Sequence, residues 1–100
     1  MKYLSEDVQD FYRLRIIVTF ESGRIYSTTY GPFTKMSKAK EIRTRAGRFW
    51  IDRLAYQKKL LALGQLNKDP NFVVKSLRYV IEISPSFGWH SKSDDTYTMN

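Results

Sequence analysis

Residues 34–63 read TKMSKAKEIRTRAGRFWIDRLAYQKKLLAL, and the spacing of their apolar side chains decides how the rest of the chain is arranged. At about 100° per residue, Met36, Ala39, Ile42, Ala46, Phe49, Trp50, Leu54, Leu60 and Leu61 fall within one broad arc, which is the pattern of a long amphipathic helix laid across a sheet. Arg43, Arg53 and Gln57 project into or beside that arc, so either their stems lie along apolar surface with the heads in water, or the helix bends. Gly47 in mid-helix costs about 1 kcal/mol relative to alanine and marks a bend or a close contact. Thr34 or Ser37 can cap the start, the first turn is expected at Lys35 to Lys38, and Gly64 is a natural stop.

Working outward, residues 11–20 alternate strictly, with Tyr12, Leu14, Ile16, Val18 and Phe20 on one face and Arg13, Arg15, Ile17 and Thr19 on the other, as in a half-buried strand. Glu21-Ser22-Gly23-Arg24 has the composition of a tight hairpin, and Ile25 to Tyr30 is the returning strand. Gly31-Pro32 is expected to end the ladder, because proline has no amide hydrogen to pair, and Phe33 to plug the end of the core. Beyond the helix, residues 67–71 read as loop and Phe72 to Ser84 as a third strand. On that strand Val73, Leu77, Tyr79, Ile81 and Ile83 face one way, and Val74, Arg78, Val80 and Glu82 the other.

The expected fold class is therefore α+β, a ββαβ unit with a three-stranded antiparallel or mixed sheet of order 2-1-3 and one long helix on one face. Its boundaries are a flexible N-terminal arm at residues 1–10, a single domain at 11–84 and a polar C-terminal tail at 85–100, whose Phe87 and Trp89 fold back or meet a partner. One helix covers one face only. The other, with Arg13, Arg15, Ile17, Val80 and also Tyr26, is left to meet solvent, a second copy or a ligand, which makes a homodimer through the sheet an expectation.

One hundred residues make one small domain. The absence of cysteine removes disulfides and thiolate metal sites and suits a cytoplasmic protein. No apolar run reaches the roughly 18 residues that span a bilayer, and the start, Met1-Lys2-Tyr3-Leu4-Ser5-Glu6-Asp7, turns acidic where a signal peptide would turn apolar, so a soluble, non-membrane chain is expected. His90 is the sole histidine, Asp94-Asp95 read as a solvated acidic pair, and no Gly-rich phosphate loop or nucleophile elbow occurs, so neither an enzyme nor a cofactor is expected.

Residues 34–63 carry nine basic side chains against Glu41 and Asp52, an excess equal to the net charge of the whole chain, +7. That excess leaves nucleic acid open as a partner, with Lys40, Arg45, Arg48 and Lys59 as candidate contacts. The charges ring the solvent side of the helix without forming one stripe, and no helix-turn-helix or RNP-type motif appears.

The hairpin from Tyr12 to Tyr26, the Gly31-Pro32-Phe33-Thr34 turn and the Ala/Lys/Arg-rich helix together resemble small accessory proteins of actinobacterial phages, the mycobacteriophage type, over roughly residues 12–83. The Gly-Pro-Phe element before a helix is also similar to that of peptidoglycan-binding SPOR domains, whose two-repeat β-α-β pattern this chain does not match. The phage resemblance implies a small viral accessory factor that binds a host protein in the cytoplasm of the infected cell. The candidate surface for that partner, or for self-association, is Arg13, Arg15, Ile17, Val80 and Trp89; binding of nucleic acid by the helix is the alternative.

Overall fold

A computed structural model describes residues 10–84 and 88–99. It contains strands β1 (Phe11–Phe20) and β2 (Ile25–Phe33), helix α1 (Met36–Ala62), a 3-10 turn (Pro70–Phe72), and strands β3 (Val74–Ser84) and β4 (His90–Thr98). The four strands form one sheet of order β2-β1-β3-β4, and every neighbouring pair is antiparallel. The expected order 2-1-3 is present, with β2 and β3 parallel to each other across β1 and α1 as the connection between them. The expected count of three strands is corrected to four, because residues within the polar tail add β4 to the edge of β3.

Physical reasons for the extra strand lie in its partners and not in its own pattern. Residues 90–98, HSKSDDTYT, carry no aliphatic side chain, so no alternation of apolar and polar residues announces a strand. Its backbone pairs with β3, Tyr97 packs edge-on against Tyr79 with ring centroids 5.7 Å apart, and Asp94 and Asp95 each meet an arginine. A bulge at Lys92, between the pairs Ile81–Ser93 and Glu82–Ser91, further breaks the period of two. The N-terminal arm lies outside the described residues except for Asp10, and Phe87 also lies outside them.

The core sits between α1 and one face of the sheet. Leu14, Ile16, Val18 and Phe20 of β1, Val74, Leu77, Tyr79 and Ile81 of β3, and Ala39 and Leu54 of α1 are all buried there. Two expectations about these faces change. Val74 joins the core because a bulge between the pairs Thr19–Ser76 and Phe20–Val74 shifts the alternation by one residue. Phe49, at one margin of the helical arc, and Leu61, in the last turn of the helix, are exposed, whereas Gly47, just outside the arc, and Gln57, within it, are buried. Gln57 accepts from the Val74 amide at 2.8 Å and donates to the Val74 carbonyl at 2.9 Å, so a buried amide side chain satisfies the backbone that the bulge leaves unpaired.

The helix starts without a side-chain cap: Lys35 holds the N-cap position and neither Thr34 nor Ser37 fills it. It ends as expected, with Gly64 at φ +69° and reversed hydrogen bonds from Gly64 N to Leu61 O and from Gln65 N to Leu60 O, a Schellman closure. Gly31-Pro32 does not end β2, which continues to Phe33 opposite Tyr12. β2 is the sheet edge, where a missing amide hydrogen interrupts no pairing on the outer side, and a bulge opposite Arg13 absorbs the extra residue. Gly31 is at φ +126°, and a Cβ there would lie 3.0 Å from the Tyr12 carbonyl oxygen.

Of the two readings open for Gly47, the close contact holds. A Cβ at this position would stand 2.5 Å from Tyr79 Cε2, and the buried Tyr79 hydroxyl donates to the Gly47 carbonyl. Burial, with Tyr97 nearby as a smaller cause, pushes that phenol up to about 12 from its ordinary 10.0, so it stays a donor through neutral pH. Among the described residues no helix is long and apolar enough to cross a membrane.

Alanine at Gly47 would gain about 1 kcal/mol of helix propensity but must force a buried, hydrogen-bonded ring aside, and overpacking of this kind typically costs about 1–3 kcal/mol. Gly47→Ala is expected to lower the midpoint of urea unfolding. A variant as stable as the parent would show that the Tyr79 ring gives way freely.

Candidate functional site

The sheet face away from α1 brings together the five residues expected to form a partner surface, and the way it does so changes their value. Arg13 Nε donates to Glu82 Oε1 at 2.8 Å, and Arg15 Nη1 lies 3.9 Å from Glu82 Oε2. The Arg13 guanidinium also stacks over Trp89, 4.2 Å from the ring centroid. Next along the sheet, Arg78 makes a forked contact with Asp94, with its Nε 2.9 Å from Oδ1 and its Nη2 2.6 Å from Oδ2. Ile17 is half-buried, and Val80, between Arg15 and Asp94 in register, is only 4% exposed, so it offers a partner almost no area. Tyr26 is not on this face: it lies opposite Val18 on the helix side, its ring 5.9 Å from that of Trp50. Every arginine on the strands thus lies within 4 Å of a carboxylate, with Arg13 and Arg15 sharing Glu82, while the strand lysines, Lys75 and Lys92, stand at the two bulges of β3 and β4 and take part in no ion pair among the described residues.

The helix side differs. Arg45 and Lys38 share Glu41, at 3.2 and 3.4 Å, and Arg43 reaches Asp95 at 3.1 Å. Arg48 and Asp52 are spaced for an i,i+4 pair but form none. Among the described residues Arg24, Lys35, Lys40, Arg48, Arg53, Lys58 and Lys59 take part in no ion pair. Of the four helical contacts expected, Lys40, Arg48 and Lys59 therefore keep uncompensated charge, and Arg45 does not. By helical spacing Arg45, Arg48 and Lys59 share the outer surface of the helix and Lys40 lies to one side of them, so the four form no single row.

A second feature of this side was not legible beforehand. At the hairpin end of α1, Phe20, Arg24, Tyr26, Trp50, Arg53 and Phe72 enclose an open cleft of about 260 Å³. Local structure explains the gathering. Asp69 caps the 3-10 turn by accepting from the Asn71 amide at 2.9 Å, and the turn is tied to the hairpin by Glu21 N to Val73 O at 2.8 Å and Ser22 N to Pro70 O at 3.1 Å. Arg24 Nη2 donates to Asn71 O at 2.7 Å and Arg53 Nη2 to Phe72 O at 2.8 Å. The Arg24 guanidinium covers Phe20 at 4.1 Å from its centroid, and that of Arg53 lies 5.5 Å from the Trp50 centroid. Phe72 is 57% exposed, Phe49 beside Trp50 is 62% exposed, and Tyr26 is 46% exposed.

His90 pairs in register with Ile83 on β4, and the adjacent acids point to opposite faces, Asp94 toward Arg78 and Asp95 toward Arg43. No group of three or more His, Cys, Asp or Glu side chains able to hold a metal ion occurs among the described residues. Comparison with family models, with curated proteins and with solved structures yields no match to the chain.

The forked Arg78 contact holds the Asp94 carboxyl below its ordinary range, chiefly through the side-chain hydrogen bond. A depressed carboxyl stabilises the fold above its unfolded pKa, about 3.9, and loses that effect as pH falls through its folded value. Amide protection in β4 is expected to fall relative to β1 when the pH is taken below about 4. Asp94→Asn should show the lower β4 protection already at neutral pH; equal protection in both proteins would assign the holding of β4 to its backbone alone.

Proposed function

We propose that this chain is a non-enzymatic nucleic-acid-binding protein that meets its ligand with the side of the sheet covered by α1. The observation that carries this reading is the partition of charge. On the open sheet face each arginine lies within 4 Å of a carboxylate, Arg13 and Arg15 sharing Glu82 and Arg78 meeting Asp94, whereas Arg24, Lys35, Lys40, Arg48, Arg53, Lys58 and Lys59 on the helix side have no carboxylate partner among the described residues. A phosphate backbone is the polyanion best able to use uncompensated cations spread around a helix, because it gains from counterion release without a precise fit. Charges that surround the helix, in place of a row along it, suit phosphate contact better than base reading in a groove.

A second reading keeps the phage-type accessory role, a self-associating protein that binds a host protein in the cytoplasm. Its support is the exposure of Phe49, Tyr56 and Leu63, which recur every seven residues and so share one strip of the helix surface. The two readings differ in how they respond to salt.

Binding of the purified protein to mixed-sequence DNA and RNA should weaken by orders of magnitude between about 50 and 200 mM salt. Arg48→Ala should lower the slope of log affinity against log salt by about 1, and Arg15→Ala, on the sheet face away from α1 and beside Glu82, should leave it unchanged. Absence of binding at the lowest salt contradicts the nucleic-acid reading. A solution mass above that of one chain, lowered by Tyr56→Asp, would then favour self-association.

A further inference from the structure

We propose that the cleft between the hairpin, α1 and the 3-10 turn is a subsite for an unpaired base and its phosphate, so that the preferred ligand is single-stranded nucleic acid. This inference rests on the function proposed above and narrows it to a ligand class.

Three properties of the cleft point there. Its walls are aromatic, and Tyr26 and Phe72 expose much of their rings to solvent, as stacking platforms for bases must. Two guanidinium groups, Arg24 and Arg53, enter it with no carboxylate partner among the described residues. Each is held by one hydrogen bond to a backbone carbonyl, from Arg24 to Asn71 and from Arg53 to Phe72. That leaves other N–H donors of each planar group for phosphate oxygens, in an orientation already fixed by the carbonyl and by stacking over Phe20 and Trp50.

A base inside a duplex is stacked and paired and cannot enter a recess lined by side chains; an unpaired base can be splayed into it. Aromatic and arginine side chains are also frequent at protein interfaces. Here, however, Arg53 in the recess and Arg48 and Lys59 on the outer surface of the same helix carry charge that no carboxylate among the described residues pairs with, which suits a polyanion. Rings, fixed guanidinium groups and a basic approach together match the chemistry of a nucleotide chain.

The test uses the full chain with Trp89→Phe as background, so that Trp50 is the only indole. Trp50 emission is followed while oligo-dT, oligo-U and a mixed-sequence DNA duplex, each about ten nucleotides long, are titrated at low salt. The proposal expects quenching by both single strands, with affinity at least about tenfold above that for the duplex. Phe72→Ala, which removes no charge, should reduce single-strand affinity about tenfold while duplex affinity stays within error, and Arg24→Ala should reduce single-strand affinity about tenfold and duplex affinity by clearly less. Equal affinity for duplex and single strands, untouched by either variant, overturns the subsite and leaves general nucleic-acid binding standing. Failure of all three ligands to bind at low salt removes both.

Discussion

The contact between Gly47 and Tyr79 sets the distance and register of α1 on the sheet. With no Cβ at position 47, the Tyr79 ring lies directly against the helix backbone and its hydroxyl donates to the Gly47 carbonyl. One turn on, this places Trp50 beside Phe20 and Tyr26, and one turn back it lets Arg43 reach Ser93 and Asp95 of β4. Further along, it brings the Gln57 amide onto both backbone groups of Val74. A helix held further from the sheet would lose the buried tyrosine bond, the bridge to β4 and the support of the β3 bulge together.

The same docking divides the molecule electrically. α1 supplies Arg43 to the sheet, where it is matched, lays Arg53 over the rings of Phe20 and Trp50, and turns its remaining basic side chains outward. The strands contribute arginines too, but Glu82 and Asp94 sit across from Arg13 and Arg78 at hydrogen-bond distance, and Glu82 also lies 3.9 Å from Arg15. Net charge alone suggests attraction to a polyanion; its partition suggests which surface meets it.

Much of the architecture was legible in the sequence because it follows from periodicity. The alternation from Tyr12 to Phe20, the Glu21-Ser22-Gly23-Arg24 turn and the apolar arc of residues 36–61 led to the hairpin, the helix and the order of the first three strands. Where a bulge interrupts the period of two, the reading slipped: Val74 changed face, and β4, with no aliphatic residue and a bulge at Lys92, looked like tail. Phe49 and Leu61 were drawn into the core by the helical arc, but Phe49 stands at its edge and Leu61 in the last helical turn, and both lie in water. The cleft was not legible because its residues come from three segments distant in sequence, joined by backbone hydrogen bonds from the hairpin to the 3-10 turn. The one sequence signal was Arg53 inside an apolar arc, an arginine that turned out to be fixed over aromatic rings.

The most direct measurement is the change in backbone amide chemical shifts on adding a short single-stranded oligonucleotide to isotope-labelled protein. The account predicts that the shifts concentrate at Arg24 and Tyr26, along Arg48 to Arg53, and at Phe72, with the open sheet face around Arg15, Ile17 and Arg78 undisturbed. Shifts gathered on that sheet face, or spread evenly over both faces, would contradict it.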